Sequence, residues 1–156
     1  MNNQDKSTVH YILLHSYLMF LVAVIFGVIL DTIFRKKIFS NEIYQNIGFL
    51  MMIIGPMIIY WAQRTSNNYK EKAKRKELKN TFGLGPYKYL RSPTHFGLFI
   101  MTLGFGLVIN SLFGVILTIF AHIITKVFFL KKEEVILERK YGEVYIEYKK
   151  KVKNWI

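Results

Sequence analysis

The sequence predicts an all-α integral membrane protein with about four transmembrane helices, a C-terminal helical hairpin and a cytoplasmic amphipathic tail helix. Hydrophobic residues make up 52% of the 156-residue chain, although its net charge is +12. The apolar residues form long uncharged runs that short basic stretches separate, which is typical of helical membrane proteins. A chain of this length has room for one domain, so we take residues 1–156 as a single membrane domain.

Composition excludes several other classes of protein. The absence of cysteine excludes disulfide frameworks, thiolate metal sites and cysteine nucleophiles. An aromatic content of 16% excludes intrinsic disorder. A high positive charge also occurs in nucleic-acid-binding proteins, but lysines that flank apolar runs indicate an anionic membrane surface as the partner, and no nucleic acid. Four scattered histidines without ligand spacing predict no metal site.

The first two apolar runs are each about one bilayer long. Residues 11–30 carry no formal charge and, at ~1.5 Å per residue, would span ~30 Å. A signal peptide is the alternative, but the run is longer than an h-region and no small-residue cleavage site follows it, which favours an uncleaved helix. Residues 43–62 form the second predicted span, which Pro56 is expected to kink.

The third apolar run, residues 96–130, is too long for one span. Asn110 and Ser111 lie in its middle and predict the tip of a helical hairpin, with spans over residues 96–109 and 112–130. The shorter span requires tilting, shielding or extension by residues before Phe96. In the tail, residues 131–156, apolar side chains recur at helical spacing and predict an amphipathic helix on the membrane or under the domain; they are Leu137, Tyr141, Val144, Tyr145 and Tyr148.

Charge asymmetry predicts the orientation. Four spans place both termini on one side, where the amino end, residues 63–91 and the tail hold 18 Lys or Arg, against three in residues 31–42. The richer side is expected to face the cytoplasm. The membrane would be the cytoplasmic membrane of a bacterium or the endoplasmic reticulum of a eukaryote, and the pattern leaves the oligomeric state open.

Polar residues inside the last span are the first candidates for chemistry, because charged groups within a membrane are costly. At ~100° per residue, four side chains fall within about 60° of one another; they are His122, Lys126, Phe129 and Glu133. This stripe leads from a histidine through an ammonium to a carboxylate at the cytoplasmic mouth. The alternative is that Lys126 and Glu133 simply reach the interface from the helix end.

The loop at residues 80–97 is the second concentration of candidates. Its glycines and prolines set a specific conformation before a helix that Ser92 or Thr94 could cap. Arg91 and His95 bracket the helix start, where N–H groups favour an anionic ligand group. A tyrosine ring, as at Tyr87, offers a flat surface for an aromatic base. The loop predicts a pocket for a ring-bearing cofactor with both charges, or else a structured juxtamembrane turn.

Together, the segment from Gly85 to Gly97, the hydrophobic hairpin, Glu133-Glu134 and the segment from Lys140 to Tyr148 resemble the isoprenylcysteine carboxyl methyltransferase and phospholipid methyltransferase superfamily. Its pattern runs roughly G-P-Y, R-H-P, a hairpin, E-E and G-x-x-Y. The resemblance covers about residues 80–153. It implies a small multi-span enzyme that holds S-adenosylmethionine in a cytoplasm-facing pocket, where a lipophilic acceptor reaches the methyl group from the bilayer.

Carried over residue by residue, the resemblance implies a set of cofactor-binding positions: Tyr87, Arg91, Ser92, Pro93, Thr94, His95, Glu133 and Glu134. The candidate catalytic residues are Glu133, His95 and Lys126. The chain departs from the superfamily pattern in three places. Ser92-Pro93 and His95 stand where the superfamily has His-Pro and a tyrosine, and Val152-Lys153-Asn154 stands where it has a V-P-R-like ending. Phe129 stands where the prenylcysteine enzymes have an arginine, which disfavours a carboxylate acceptor unless Lys126 substitutes for the arginine.

The leading hypothesis is therefore an S-adenosylmethionine-dependent methyltransferase that acts on a lipid or a small amphiphile through an amine, a thiol or, less readily, a carboxylate. Two alternatives remain open. One is an NADPH-dependent membrane reductase of related fold, and the other is a non-catalytic membrane interaction or lipid-binding protein.

Overall fold

The computed structural model describes residues 3–34, 42–74 and 83–152, and the regular elements in these ranges are helical. They are α1 (Asn3–Phe34), α2 (Ile43–Lys74), α3 (Pro93–Val108), α4 (Leu112–Ile124), α5 (Lys131–Tyr141) and α6 (Glu143–Lys151). A 3-10 turn at Gly85–Lys88 precedes α3, and a π-helical turn at Thr125–Leu130 joins α4 to α5. The all-α prediction is confirmed for these ranges.

Three helical segments in the described ranges are long and apolar enough to cross a membrane: Tyr11–Phe34, Ile43–Asn68 and Leu112–Arg139. The apolar helix Pro93–Val108 is shorter, with 16 residues. This helix begins at Pro93, so it extends the predicted span by the residues before Phe96. The helical backbone continues past residue 130 into α5, because no glycine or proline interrupts residues 115–141, and the end of the last span at residue 130 stays a prediction.

Helix α3 lies against α2 along a seam of glycines. A Cβ atom added to Gly55 would lie 2.6 Å from the carbonyl oxygen of Gly97, and one added to Gly48 would lie 2.7 Å from that of Gly104. The seven-residue spacing on both helices repeats this close approach two turns apart. Small residues allow transmembrane helices to associate by backbone-to-backbone packing. The seam therefore shields one side of the short helix α3 from lipid.

The tip of the α3–α4 hairpin is fixed to the end of α1. Ser111 begins α4 and its hydroxyl oxygen accepts a hydrogen bond from the Gly114 N–H at 2.8 Å. The same hydroxyl donates to the carboxylate of Asp31, which also accepts from the Phe113 N–H at 3.4 Å. Asn110 turns the chain with a φ of 56°. The predicted tip at Asn110 and Ser111 is confirmed.

The tail consists of two helices where the sequence predicted one. Gly142, with a φ of 57°, ends α5 and starts α6, because a residue without Cβ adopts this conformation at low cost. Tyr145 and Tyr148 of α6 are buried with Val152 and pack against Tyr87 in the loop before α3. This second core brings the tail under the start of α3.

The main core joins α1, α3 and α4 through Phe20, Leu98 and Ala121. Several predictions concern residues outside the described ranges. These are the basic residues of the first loop at 35–37, the lysine-rich residues 75–79, residues 80–82 of the predicted cofactor loop, and residues 153–156 of the tail. The orientation that rests on these charges stays a prediction.

Candidate functional site

Ionisable side chains from four elements meet where the tail packs under the start of α3. We call this group the charge cluster; it comprises Arg91, His95, Glu133, Glu134, Glu138 and Lys149. Arg91 belongs to the loop, His95 to α3, the three glutamates to α5 and Lys149 to α6. The predicted positions Arg91, His95, Glu133 and Glu134 are therefore brought together.

Glu134 is paired with both cations of the charge cluster. Its Oε1 lies 2.8 Å from Arg91 Nη1, and its Oε2 lies 2.9 Å from Lys149 Nζ. Lys149 also donates to Glu138 Oε1 at 2.7 Å. Because both oxygens of Glu134 have a cationic partner, this carboxylate connects the loop, α5 and α6.

Glu133 has a free oxygen. Its Oε2 is buried, forms no hydrogen bond with any described residue, and lies 3.8 Å from His95 Nδ1. This distance exceeds that of a hydrogen bond. A buried carboxylate oxygen without a donor is costly, so the arrangement fits a donor supplied by a ligand.

The hydrogen bonds of His95 determine which ring nitrogen carries the proton. The hydroxyl of Ser16 donates to the Ile12 carbonyl at 3.1 Å, so its oxygen accepts from His95 Nε2–H at 3.2 Å. In the neutral ring Nδ1 then presents a lone pair toward Glu133. Two acceptors, Nδ1 and the Glu133 carboxylate, thus face each other 3.8 Å apart.

Arg91 offers the complementary group. Its Nε is buried and forms no hydrogen bond with the described part of the chain, although Nη1 is paired with Glu134. The guanidinium is therefore only partly used, and a carboxylate oxygen is a partner that suits its planar fork.

The tail is bound to the predicted cofactor loop by a further contact. Tyr148 donates its hydroxyl to the carbonyl oxygen of Tyr87 at 2.7 Å.

Burial, and secondarily the carboxylates of Glu134 and Glu133, raise the pKa of Tyr145. Hydrogen bonds to Glu138 and Glu134 raise the pKa of Lys149. Both α6 residues are therefore held in their protonated forms against the charge cluster.

Other predicted residues occupy different places. Ser92 stands at the start of α3 but its side chain makes no capping hydrogen bond, Pro93 is the first residue of that helix and is buried, and Thr94 is half-buried behind it. Lys126 is half-exposed, and no ion pair with Glu133 is found among the described side chains. The structure thus places Lys126 outside the charge cluster.

A π-helical turn lies within the predicted stripe on the last span. This turn, Thr125–Leu130, contains more residues per turn than an α-helix and shifts the side chains that follow. His122, Thr125 and Leu130 point inward, whereas Phe129 lines a groove beside α1. His122 stacks on Phe99 with ring centroids 4.2 Å apart, and neither ring nitrogen forms a hydrogen bond with a described residue.

Two contributors to the site had no signal in the sequence, because Ser16 lies within an apolar span and Lys149 belongs to a run of lysines. Tyr148 was identified on an amphipathic face and in the segment that carries the resemblance, but not as a site residue. Among the described residues, no group of three or more histidines, aspartates or glutamates is arranged to hold a metal ion.

Comparison with known proteins bears on what the charge cluster does. A family model described as phospholipid methyltransferase matches residues 22–144. This range contains Arg91, His95, Glu133 and Glu134, and excludes Ser16, Tyr148 and Lys149. No curated protein matches the chain. No solved structure matches it.

Proposed function

The chain belongs to the phospholipid methyltransferase family of membrane methyltransferases, and from this we propose that it transfers a methyl group from S-adenosylmethionine to a lipid or small amphiphile. We further propose that it has four spans, in which Pro93–Val108 is added to the three longer helices, and that its termini and charge cluster face the cytoplasm. The enzyme would reside in the cytoplasmic membrane of a bacterium or the endoplasmic reticulum of a eukaryote.

One observation carries the choice of cofactor, namely the complementary unused groups of the charge cluster. The free Glu133 Oε2 and the free Arg91 Nε are a buried acceptor and a buried donor. An amino-acid zwitterion presents an ammonium to the first and a carboxylate to the second. The amino-acid part of S-adenosylmethionine is such a group, so the residues present fit it.

When bound, S-adenosylmethionine supplies a methyl group that is activated by the adjacent sulfonium. The residues of this chain would contribute position more than acid–base chemistry. Glu133 would bind and orient the ammonium, and Arg91 the carboxylate. Tyr148 and Lys149 would keep the tail closed over the charge cluster and exclude water.

An amine acceptor must lose a proton before it attacks the methyl group. His95 is suited to take that proton, because its Nε2–H is bound to Ser16 and its Nδ1 carries the free lone pair. Glu133, 3.8 Å from Nδ1, would stabilise the resulting imidazolium. A thiol acceptor would use the same base. Phe129 lies away from the charge cluster in the groove, which argues against a carboxylate acceptor bound at that position.

Calorimetric titration of the detergent-purified protein with S-adenosylhomocysteine tests the proposal. Glu133→Gln removes the charge and keeps the shape, so the affinity should fall about 10- to 100-fold, as for loss of a charged hydrogen bond. Glu147→Gln, an equal change at an exposed position of α6, is the matched control and should bind like the wild-type protein.

Equal affinity of the Glu133→Gln and Glu147→Gln variants would show that the site is wrong. Binding of NADPH in place of S-adenosylhomocysteine would favour a reductase. If a folded protein bound neither S-adenosylhomocysteine nor NADPH, the result would favour a non-catalytic membrane protein.

A further inference from the structure

A groove lined by apolar side chains and two lysines lies on the side of α5 that faces away from the charge cluster. It has a volume of about 630 Å³ and lies between the first turns of the apolar part of α1 and the start of α5. This volume falls in the range of small-molecule sites, about 300–1,000 Å³. Its walls include Ile12, Phe129 and Ile136, whereas Lys131, Lys132 and His15 supply the polar groups.

The groove and the charge cluster lie on opposite faces of α5. At about 100° per residue, Lys131, Lys132, Val135 and Ile136 share one face. Glu133 and Glu134 point toward α3, the loop before it and α6, where they meet His95, Arg91 and Lys149. The groove is thus a separate site, and an occupant of it need not be a substrate of the charge cluster.

The two lysines of the groove are available for an anion. Both are exposed, and the described side chains include no carboxylate paired with either of them. Glu133 and Glu134, their nearest carboxylates in the sequence, face the other side of the helix. Two ammonium groups beside an apolar concavity are complementary to an anionic group attached to a hydrocarbon chain.

The position of the groove along the helices indicates the depth of its occupant. Lys131 and Lys132 follow directly after the apolar segment of α4 and the π-helical turn, where a spanning helix meets the headgroup region. Phe129 and Ile12 lie on the apolar side of that boundary. An anionic headgroup at the lysines would place its hydrocarbon chain against these walls.

We propose that this groove binds one anionic phospholipid of the surrounding bilayer, with its phosphate between Lys131 and Lys132 and an acyl chain along Ile12 and Phe129. The bound lipid is a ligand of the fold, distinct from the methyl acceptor. It would brace α1 against α5 next to Ser16, the partner of His95.

Native mass spectrometry of the full chain, with phosphatidylglycerol and phosphatidylcholine of equal chain length in equal amounts, tests the proposal. The wild-type protein should retain one phosphatidylglycerol in preference to phosphatidylcholine. Each ammonium near an anionic surface favours binding about fivefold, so Lys131→Gln/Lys132→Gln should lower the preference up to about thirtyfold. Lys150→Gln/Lys151→Gln makes the same charge change at exposed positions of α6 and should keep it.

A second variant tests the apolar walls independently of charge. Val135 lines the groove and is 45% exposed, so Val135→Trp fills the groove without entering the core. It should reduce retention of phosphatidylglycerol while S-adenosylhomocysteine affinity stays at the wild-type value. Equal retention of the two lipids by the wild-type protein, or an equal loss in the Lys150/Lys151 control, would overturn the proposal. So would full retention by the Val135→Trp variant.

Discussion

Replacing Glu134 by glutamine should destabilise the fold strongly, because this residue joins the loop, α5 and α6. The change leaves the Arg91 guanidinium, with only 13% of its side chain exposed, without an anionic partner. Removal of one member of a buried ion pair costs about 3–5 kcal/mol. For a chain of this size that loss lowers the thermal unfolding midpoint by about 6–20 °C.

The matched variant, Lys149→Gln, removes the second cation that is paired with Glu134. Lys149 is 38% exposed and contacts both Glu134 and Glu138, yet its loss leaves Arg91 and Glu134 paired. Exposed ion pairs contribute about 0–1 kcal/mol, so Lys149→Gln should lower the midpoint by no more than about 4 °C. Thermal unfolding of both variants in one detergent compares the two contacts directly.

A double variant separates the charge pair from simple packing. Arg91→Met/Glu134→Met removes both charges and leaves no uncompensated ion, so it should be more stable than either single substitution. The reasoning fails if Glu134→Gln is no more destabilising than Lys149→Gln. It also fails if the two methionine substitutions simply add.

Two further predictions concern packing and pH. Gly55→Ala places a Cβ 2.6 Å from the Gly97 carbonyl oxygen and should lower the free energy of unfolding by about 1–3 kcal/mol through overpacking. The control Gly83→Ala adds a Cβ that meets nothing within 4 Å and should leave the thermal midpoint unchanged. Equal shifts in the two variants would contradict the glycine seam. The pKa values of Tyr145 and Lys149 are raised above their usual 10.0 and 10.5. Their contribution to stability is therefore complete below about pH 10 and is lost as the pH rises further. A thermal unfolding midpoint that stays constant from pH 9 to 12 would refute this prediction.

Local sequence patterns predicted the parts of the structure that depend on neighbouring residues. The polar pair Asn110 and Ser111 interrupts an apolar run and indeed forms the hairpin tip, because a turn requires residues that tolerate unusual φ values. Arg91 and Glu134 were predicted to share one pocket only through the resemblance to known methyltransferases. The ion pair at 2.8 Å agrees with that grouping.

Other features depend on contacts that no local pattern encodes. His95 and Ser16 meet across 79 residues of sequence, and a serine in an apolar helix looks like any small residue. Phe129 was predicted to share a face with Glu133 because a constant 100° rotation was assumed. In the structure Phe129 lines the groove while Glu133 faces His95, and a π-helical turn lies between His122 and Glu133.

The balance of charge in the cluster bears on which cofactor class suits it. The charge cluster contains two cations, Arg91 and Lys149, against three carboxylates, so with a neutral His95 its net charge is −1. One cation is already shared between two of those carboxylates. A partly buried site of negative charge attracts a cation and repels a polyphosphate. S-adenosylmethionine carries a sulfonium and an ammonium against one carboxylate, whereas NADPH carries several phosphate charges that this cluster would repel. The same residues that leave Glu133 Oε2 free therefore disfavour the reductase hypothesis on electrostatic grounds.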